Sequence, residues 1–206
     1  MDKPHQLKRR SVLLVLAAAP LAPASVRAQV VAQADKARAT LVKAAFLHKF
    51  ASFVEWPQGV FARPETPLRI GVLGDDQVWQ DLMELSRDRD RDGRPVQPVR
   101  LAEGDSLAGF HIIYIKTPSV ARMLEVLPRV PEAVLTVADT DGAHPRGSVM
   151  SFFTEDGRVR FGVSLDSANR QRLRLSSRLL SVARNIQGAA HPDWLELDSP
   201  GETATA

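Results

Sequence analysis

Apolar side chains return every three to four positions between residues 37 and 54. Val42, Phe46, Phe50 and Phe53 form one stripe, with Leu41, Ala45 and Val54 beside it. The spacing predicts an amphipathic helix that packs its phenylalanines into a core. Trp56-Pro57 is expected to end it, because proline disfavours helix at the residue before it. The period then shortens. Leu68-Arg69-Ile70-Gly71-Val72-Leu73-Gly74 reads as a buried strand, and Asp75-Asp76 as the cap of a helix over residues 77–87. Residues 63–67 form a turn-rich connector and residues 87–94 a charged loop. Residues 96–101 predict a second strand, weakened by Pro98. Residues 110–116 predict a third, and the run Ile112-Ile113-Tyr114-Ile115 implies burial on both faces. A helix over 119–127, stopped by Pro128, leads to a fourth strand at 133–138.

The pattern changes after that. Residues 149–153 and 158–164 flank Glu155-Asp156-Gly157, a hairpin signal between two alternating runs. A short basic run follows at 169–175. A last helix over 177–186 carries Leu179, Leu180, Val182 and Ala183 on its apolar side. The order predicts a single α/β domain: a mixed parallel/antiparallel sheet flanked by helices, with a C-terminal β-hairpin and helix.

Charge alters the picture at one end only. The chain of 206 residues has a formal charge of +3, which invites a nucleic-acid reading. Residues 1–28 hold five of the 27 basic residues (Lys3, Lys8, Arg9, Arg10, Arg27) and only Asp2 among the 24 acidic ones. That leaves 22 basic against 23 acidic residues over 29–206, so no nucleic-acid partner is expected. The leader has the order of an export signal: a basic start, an apolar stretch from Val12 through Ala22, and Val26-Arg27-Ala28 as a small-residue cut site. It is too short and proline-broken to span a bilayer, where about 20 apolar residues are needed. Cleavage after Ala28 and residence in the periplasm are expected. Arg9-Arg10 leaves both the general and the twin-arginine export routes open. The expected organisation is a signal peptide (1–28), a flexible segment (29–39), a folded domain (40–187) and a disordered tail (188–206).

Candidate chemistry is sparse. Cysteine is absent, which excludes disulfides, thiol nucleophiles and Cys-ligated metals, and the five histidines are scattered without metal-ligand spacing. Gly71-Val72-Leu73-Gly74 lacks the rest of a nucleotide-binding fingerprint, so a close backbone turn is the better reading. Asp88-Arg89-Asp90-Arg91-Asp92-Gly93 begins like a calcium loop but has Val99 where the twelfth-position glutamate belongs. No Gly-x-Ser-x-Gly is present, and no histidine sits in a recognisable Ser and Asp pattern. Neither a catalytic residue, a metal nor a cofactor is expected. The basic run Arg172-Leu173-Arg174-Leu175-Ser176-Ser177-Arg178 is the polar element of interest. If extended, it would put alternate arginines on one face ahead of a helix N-terminus, suited to a small anion. An edge strand guarded by charge uses the same residues, and Ser176 and Ser177 have helix capping as their default role.

Several stretches together resemble the YfiR-like family of periplasmic proteins. They are Val42-Lys43-Ala44-Ala45-Phe46-Leu47-His48-Lys49-Phe50 running into Phe53-Val54-Glu55-Trp56-Pro57, the strand 68–74, Gly93-Arg94-Pro95-Val96 and His111-Ile112-Ile113-Tyr114-Ile115. Val134-Leu135-Thr136-Val137-Ala138-Asp139, Gly157-Arg158-Val159-Arg160-Phe161 and residues 173–184 follow in the family's order. The resemblance covers about residues 40–186. It implies a non-enzymatic negative regulator of a membrane-bound diguanylate cyclase, and so of cyclic-di-GMP, biofilm and motility. It implies as partners the periplasmic domain of an inner-membrane sensor or cyclase and an outer-membrane sequestering protein. Dimers and small-ligand pockets also occur in the family. Family members often carry a cysteine before the histidine of the third strand; Phe110 stands there, which removes redox control. The alternative is a periplasmic small-molecule-binding protein without a cyclase target. Glu55, Trp56, Arg174, Ser176 and Arg178 are the candidate ligand or partner residues. Trp56 is the one suited to packing and Arg174 the better polar candidate.

Overall fold

The computed structural model describes residues 24–63, 65–87 and 94–188. The leader before Ala24, the aspartate-rich run at 88–93 and the tail after Gly188 lie outside the described residues. The chain divides into residues 1–34 and residues 35–206, and every described strand belongs to the second part.

Helix α1 (Ala24–Phe50) starts earlier than residue 37 and stops earlier than residue 54. A single 3-10 turn over Ala51–Phe53 follows, and Val54 is already extended, so the chain enters strand β1 (Val54–Glu55) before Trp56-Pro57 is reached. Strand β2 (Leu68–Leu73), helix α2 (Asp76–Leu85), strand β3 (Val96–Leu101) and strand β4 (Ile112–Lys116) come next. Helix α3 (Val120–Val126), strand β5 (Leu135–Asp139), and the hairpin strands β6 (Met150–Glu155) and β7 (Arg158–Ser164) continue the chain. It closes with helix α4 (Leu165–Arg170), strand β8 (Arg174–Leu175), helix α5 (Ser177–Val182) and strand β9 (Asn185–Gln187).

Seven strands form one sheet in the order β3-β2-β4-β5-β6-β7-β9. Strands β3 through β6 are parallel, β6 and β7 antiparallel, and β7 and β9 parallel. The mixed α/β reading therefore holds. Pro98 does not shorten β3, because β3 is an edge strand, where a missing N–H is tolerated. In the hairpin, Glu155 pairs with Arg158, and Asp156 and Gly157 both take positive φ (51° and 68°), the geometry of a two-residue type I′ turn.

Alternation along β4 sorts the core into two layers. Ile112 and Tyr114 face α1, α2 and the C-terminal helices, with Ala44, Leu47, Phe50, Val78, Leu82, Phe152, Phe161 and Leu179 in that layer. Ile113 and Ile115 face Met123, Val126 and Leu127 on the other side. The predicted phenylalanine stripe works as core: Phe50 stacks on Phe152 at 5.9 Å and meets Phe161 edge-on at 5.3 Å. Because β3 and β5 lie on opposite sides of the β2–β4 pair, right-handed crossovers place α2 and α3 on opposite faces.

Two elements differ from expectation near the C-terminus. Residues 165–170 form α4, capped by Ser164, whose hydroxyl accepts the Ser167 N–H. The last helix ends at Val182, because Ala183 is extended and the Arg184 N–H bonds to the Phe161 carbonyl, leading into β9. The expected extended basic run is corrected as well. Arg172 sits at φ 53°, outside extended backbone, and pairs with Glu132, so it shares no strand face with Arg174.

Candidate functional site

Strands β1 and β8 form a separate two-stranded antiparallel sheet, in which Val54 faces Leu175 and Glu55 faces Arg174. The Ser176 N–H extends this pairing to the Phe53 carbonyl at 2.9 Å. Four of the residues singled out in the sequence thus converge: Glu55, Trp56, Arg174 and Ser176. Val54 and Leu175 anchor the pair in the core, so alternation turns Glu55 and Arg174 outward. Neither is in an ion pair with a described residue. Arg178 is exposed on α5. Ser176 serves as that helix's N-cap, its hydroxyl accepting the Leu179 N–H at 3.3 Å.

Trp56 points to a different feature. It is half-buried and edge-on to Phe61 at 5.7 Å and to the His111 ring at 6.5 Å. Its buried Nε1 has no hydrogen-bond partner among the described residues. Phe61 stacks flat on His111 at 4.4 Å, and the Arg94 guanidinium lies over the Phe61 ring, 3.9 Å from its centroid. Trp56, Phe61 and Arg94 border a cleft of about 630 Å³, also lined by Glu55, Leu68 and Val96, with His111 stacked against Phe61. Leu68 and Val96 open β2 and β3, so the cleft lies at the amino ends of those strands. Open α/β sheets generally bind at the carboxyl ends. The cleft offers a stacking surface, a guanidinium and a carboxylate, while the indole N–H is buried. These are binding groups without a nucleophile–base pair.

Burial, with the charges of Arg94 and Arg69, lowers the His111 pKa. Its Nδ1 accepts the Arg69 N–H at 3.0 Å, which a neutral ring can do and a protonated one cannot. Burial lowers His144 as well. Its Nε2 faces the Ser148 carbonyl at 2.8 Å and so carries the proton, leaving Nδ1 to accept the Ser151 hydroxyl at 2.7 Å. Ser151 is 2% exposed beside a recess of about 160 Å³, and the pair ties the β5–β6 crossover to the sheet. An unfolded chain binds protons at these histidines near pH 6.5, while the folded chain resists until lower pH. Stability is therefore fully present above about pH 6.5 and falls on acidification toward the folded values. Urea midpoints are expected to drop between about pH 7 and 5. His111→Gln and His144→Gln should each flatten that slope; an unchanged slope in both would discard this assignment.

The carboxyl ends of β2, β4 and β5 are filled by a charged cluster that no sequence motif announced. Asp139 accepts both bonds of the Lys43 ammonium (2.9 and 2.7 Å) and the Tyr114 hydroxyl. Lys116 reaches Asp75 at 2.6 Å and Asp139 at 3.9 Å. Burial, then Asp139, pushes the Tyr114 phenol well up, so it stays a donor. Burial alone would raise the Asp75 carboxyl; bonds from Lys116 and the Val78 N–H, with the nearby lysine charges, hold it below its usual value. Gly74 closes the same corner. At φ +84° its backbone lies so near that a Cβ would sit 2.0 Å from the Lys116 carbonyl oxygen. This is the close turn expected of the 71–74 run. Two balanced ion pairs fill the corner at the carboxyl ends of β2, β4 and β5, while a recess of about 500 Å³ remains beside it at the carboxyl ends of β2 and β3. Among the described residues no group of three or more His, Cys, Asp or Glu side chains is placed to hold a metal ion. No described helix is long and apolar enough to cross a membrane.

Of the groups around Trp56, Arg94 stands in the charged loop and His111 in the third predicted strand, neither as a candidate site residue, and Phe61 lies in a segment without periodicity. A family model described as YfiR/HmsC-like matches residues 40–184, from within α1 through the residue before β9. No curated protein matches the chain.

Proposed function

The chain belongs to the YfiR/HmsC-like family, and from that membership we propose that it is an exported, non-enzymatic regulator that restrains a membrane-bound diguanylate cyclase. The carrying observation is the match over residues 40–184, which takes in every strand of the main sheet except β9. The leader-like sequence of residues 1–28 supports a periplasmic address. In this reading the regulator binds the periplasmic domain of the cyclase and favours its inactive state, and an outer-membrane protein competes for the regulator. Each partner shifts the balance only by its difference in affinity for the two states. The exposed Glu55–Arg174 pair, with Arg178 nearby, is the polar contact surface.

Deleting the gene is the test. Cellular cyclic-di-GMP is expected to rise, and the rise to vanish when the cyclase is also deleted; unchanged levels across growth conditions would remove the regulatory reading. Arg174→Ala is expected to weaken restraint by about tenfold, the scale of one charged hydrogen bond, while its stability stays within about 0.5 kcal/mol of the parent, as for an exposed position. Full restraint in that variant would discard the contact. The cleft beside Trp56, with the Arg94 guanidinium over the Phe61 ring and Glu55 at its lining, favours a second reading: a small-molecule-binding protein without a cyclase target.

A further inference from the structure

A second cleft, of about 930 Å³, lies beneath the β6–β7 end of the sheet, away from Trp56. Its lining combines two chemistries. Leu124, Leu127, Pro128 and Val130, from α3 and the turn after it, make one wall. Leu124 is 43% exposed, a large apolar side chain left open to this space. The same lining carries Arg146 from the β5–β6 crossover and Arg170 at the end of α4. Arg146 has no ion-pair partner among the described residues. Arg170 also lacks one, and its Nη2 is held at 2.8 Å by the hydroxyl of Ser167, itself 2% exposed. One carboxylate, Asp166, lines the same space. Burial keeps His144, also at the lining, from adding positive charge near neutral pH.

We infer that this cleft binds a small monocarboxylate with an apolar tail. Two guanidiniums against one carboxylate leave a single positive charge, matched by a monoanion. A planar carboxylate suits the arginine fork, while Asp166 would repel the second charge of a phosphate monoester. The apolar wall takes the tail, and the volume falls in the range of small-ligand sites. The cleft is a different surface from the regulatory contact at Glu55 and Arg174, and its binding is measured on the purified protein, so either reading can fail without the other.

The test is calorimetric titration of the full chain with octanoate, alongside octylamine, octanol, acetate and octyl phosphate. Saturable octanoate binding is expected, with octanol and acetate at least about tenfold weaker and octylamine absent. Octyl phosphate should bind no more tightly than octanoate. Arg170→Gln and Arg146→Gln should each weaken octanoate by about tenfold. Arg146 is exposed and without a described partner, so its variant stays folded if Arg170→Gln disturbs α4. Absent octanoate binding, equal binding of octylamine, or unchanged affinity in Arg146→Gln would each overturn the assignment.

Discussion

Asp139→Ala is expected to destabilise the folded domain by about 3–5 kcal/mol in urea unfolding, the scale for removing one partner of a buried ion pair. Asp139 is the shared acceptor of the cluster at the carboxyl ends of the strands. Its loss leaves the Lys43 ammonium, with only 12% of its side chain exposed, without its counter-charge. The Tyr114 hydroxyl, on a fully buried residue, loses its acceptor at the same time. Lys116 keeps Asp75 and is affected less. Two further variants separate charge from packing. Asp139→Asn retains an acceptor for Tyr114 and should lose less than Asp139→Ala. The pair Lys43→Met with Asp139→Leu removes both charges and should recover much of the loss, because replacing a whole buried pair by apolar groups is often neutral. A loss under about 1 kcal/mol for Asp139→Ala would mean that water reaches the cluster and that it does not clamp α1 to the sheet.

What the sequence made legible was local. The Phe46 and Phe50 stripe, the Ile112–Ile115 run, the Asp75 cap and the Asp156-Gly157 turn each carry their structural instruction within a few residues. What stayed hidden was either too short or too distant. Helix α4 has only Leu165 and Ala168 as buried apolar residues, fewer than a helical period needs to register. Strand β9, all three residues exposed, exists by pairing with β7 and has no alternation of its own. Glu55 and Arg174 belong to one set of candidate residues on their chemistry, and only the β1–β8 ladder makes them neighbours. The Lys43–Asp139 bond joins residues 96 positions apart. Charge patterns carry no register over that distance, so a lysine on a predicted helix and an aspartate at a strand end gave no signal of meeting. The arginines of 172–178 failed for the opposite reason. Their spacing looked like a strand, but the left-handed turn at Arg172 and the helix from Ser177 divide them among three conformations.

Gly74→Ala is expected to be the most damaging single methyl group in the domain, with a loss above about 4 kcal/mol or no soluble folded protein. Two effects act together. The φ of +84° is unfavourable for any L side chain, and the new Cβ would lie 2.0 Å from the carbonyl oxygen of Lys116. That oxygen belongs to backbone at the end of β4, so it cannot rotate away as a side chain would. Relief requires parting β2 from β4, which also pulls Asp75 from Lys116 and disturbs the cap of α2. Two other glycines separate these effects. Gly59→Ala, at φ +86° with nothing within 4 Å, should show the conformational penalty alone, about 1–2 kcal/mol. Gly71→Ala meets the Leu101 Cδ1 at 2.6 Å, a movable group, and should fall at about 1–3 kcal/mol. Unfolding curves that rank Gly74→Ala with Gly59→Ala would show that the corner relaxes freely. The expected order, with Gly74 far apart, makes the closure of this corner rigid. The binding proposed above then falls to the clefts beside Trp56 and beneath β6–β7, at the amino ends of the parallel strands, and not to the corner that Gly74, Asp75 and Lys116 close.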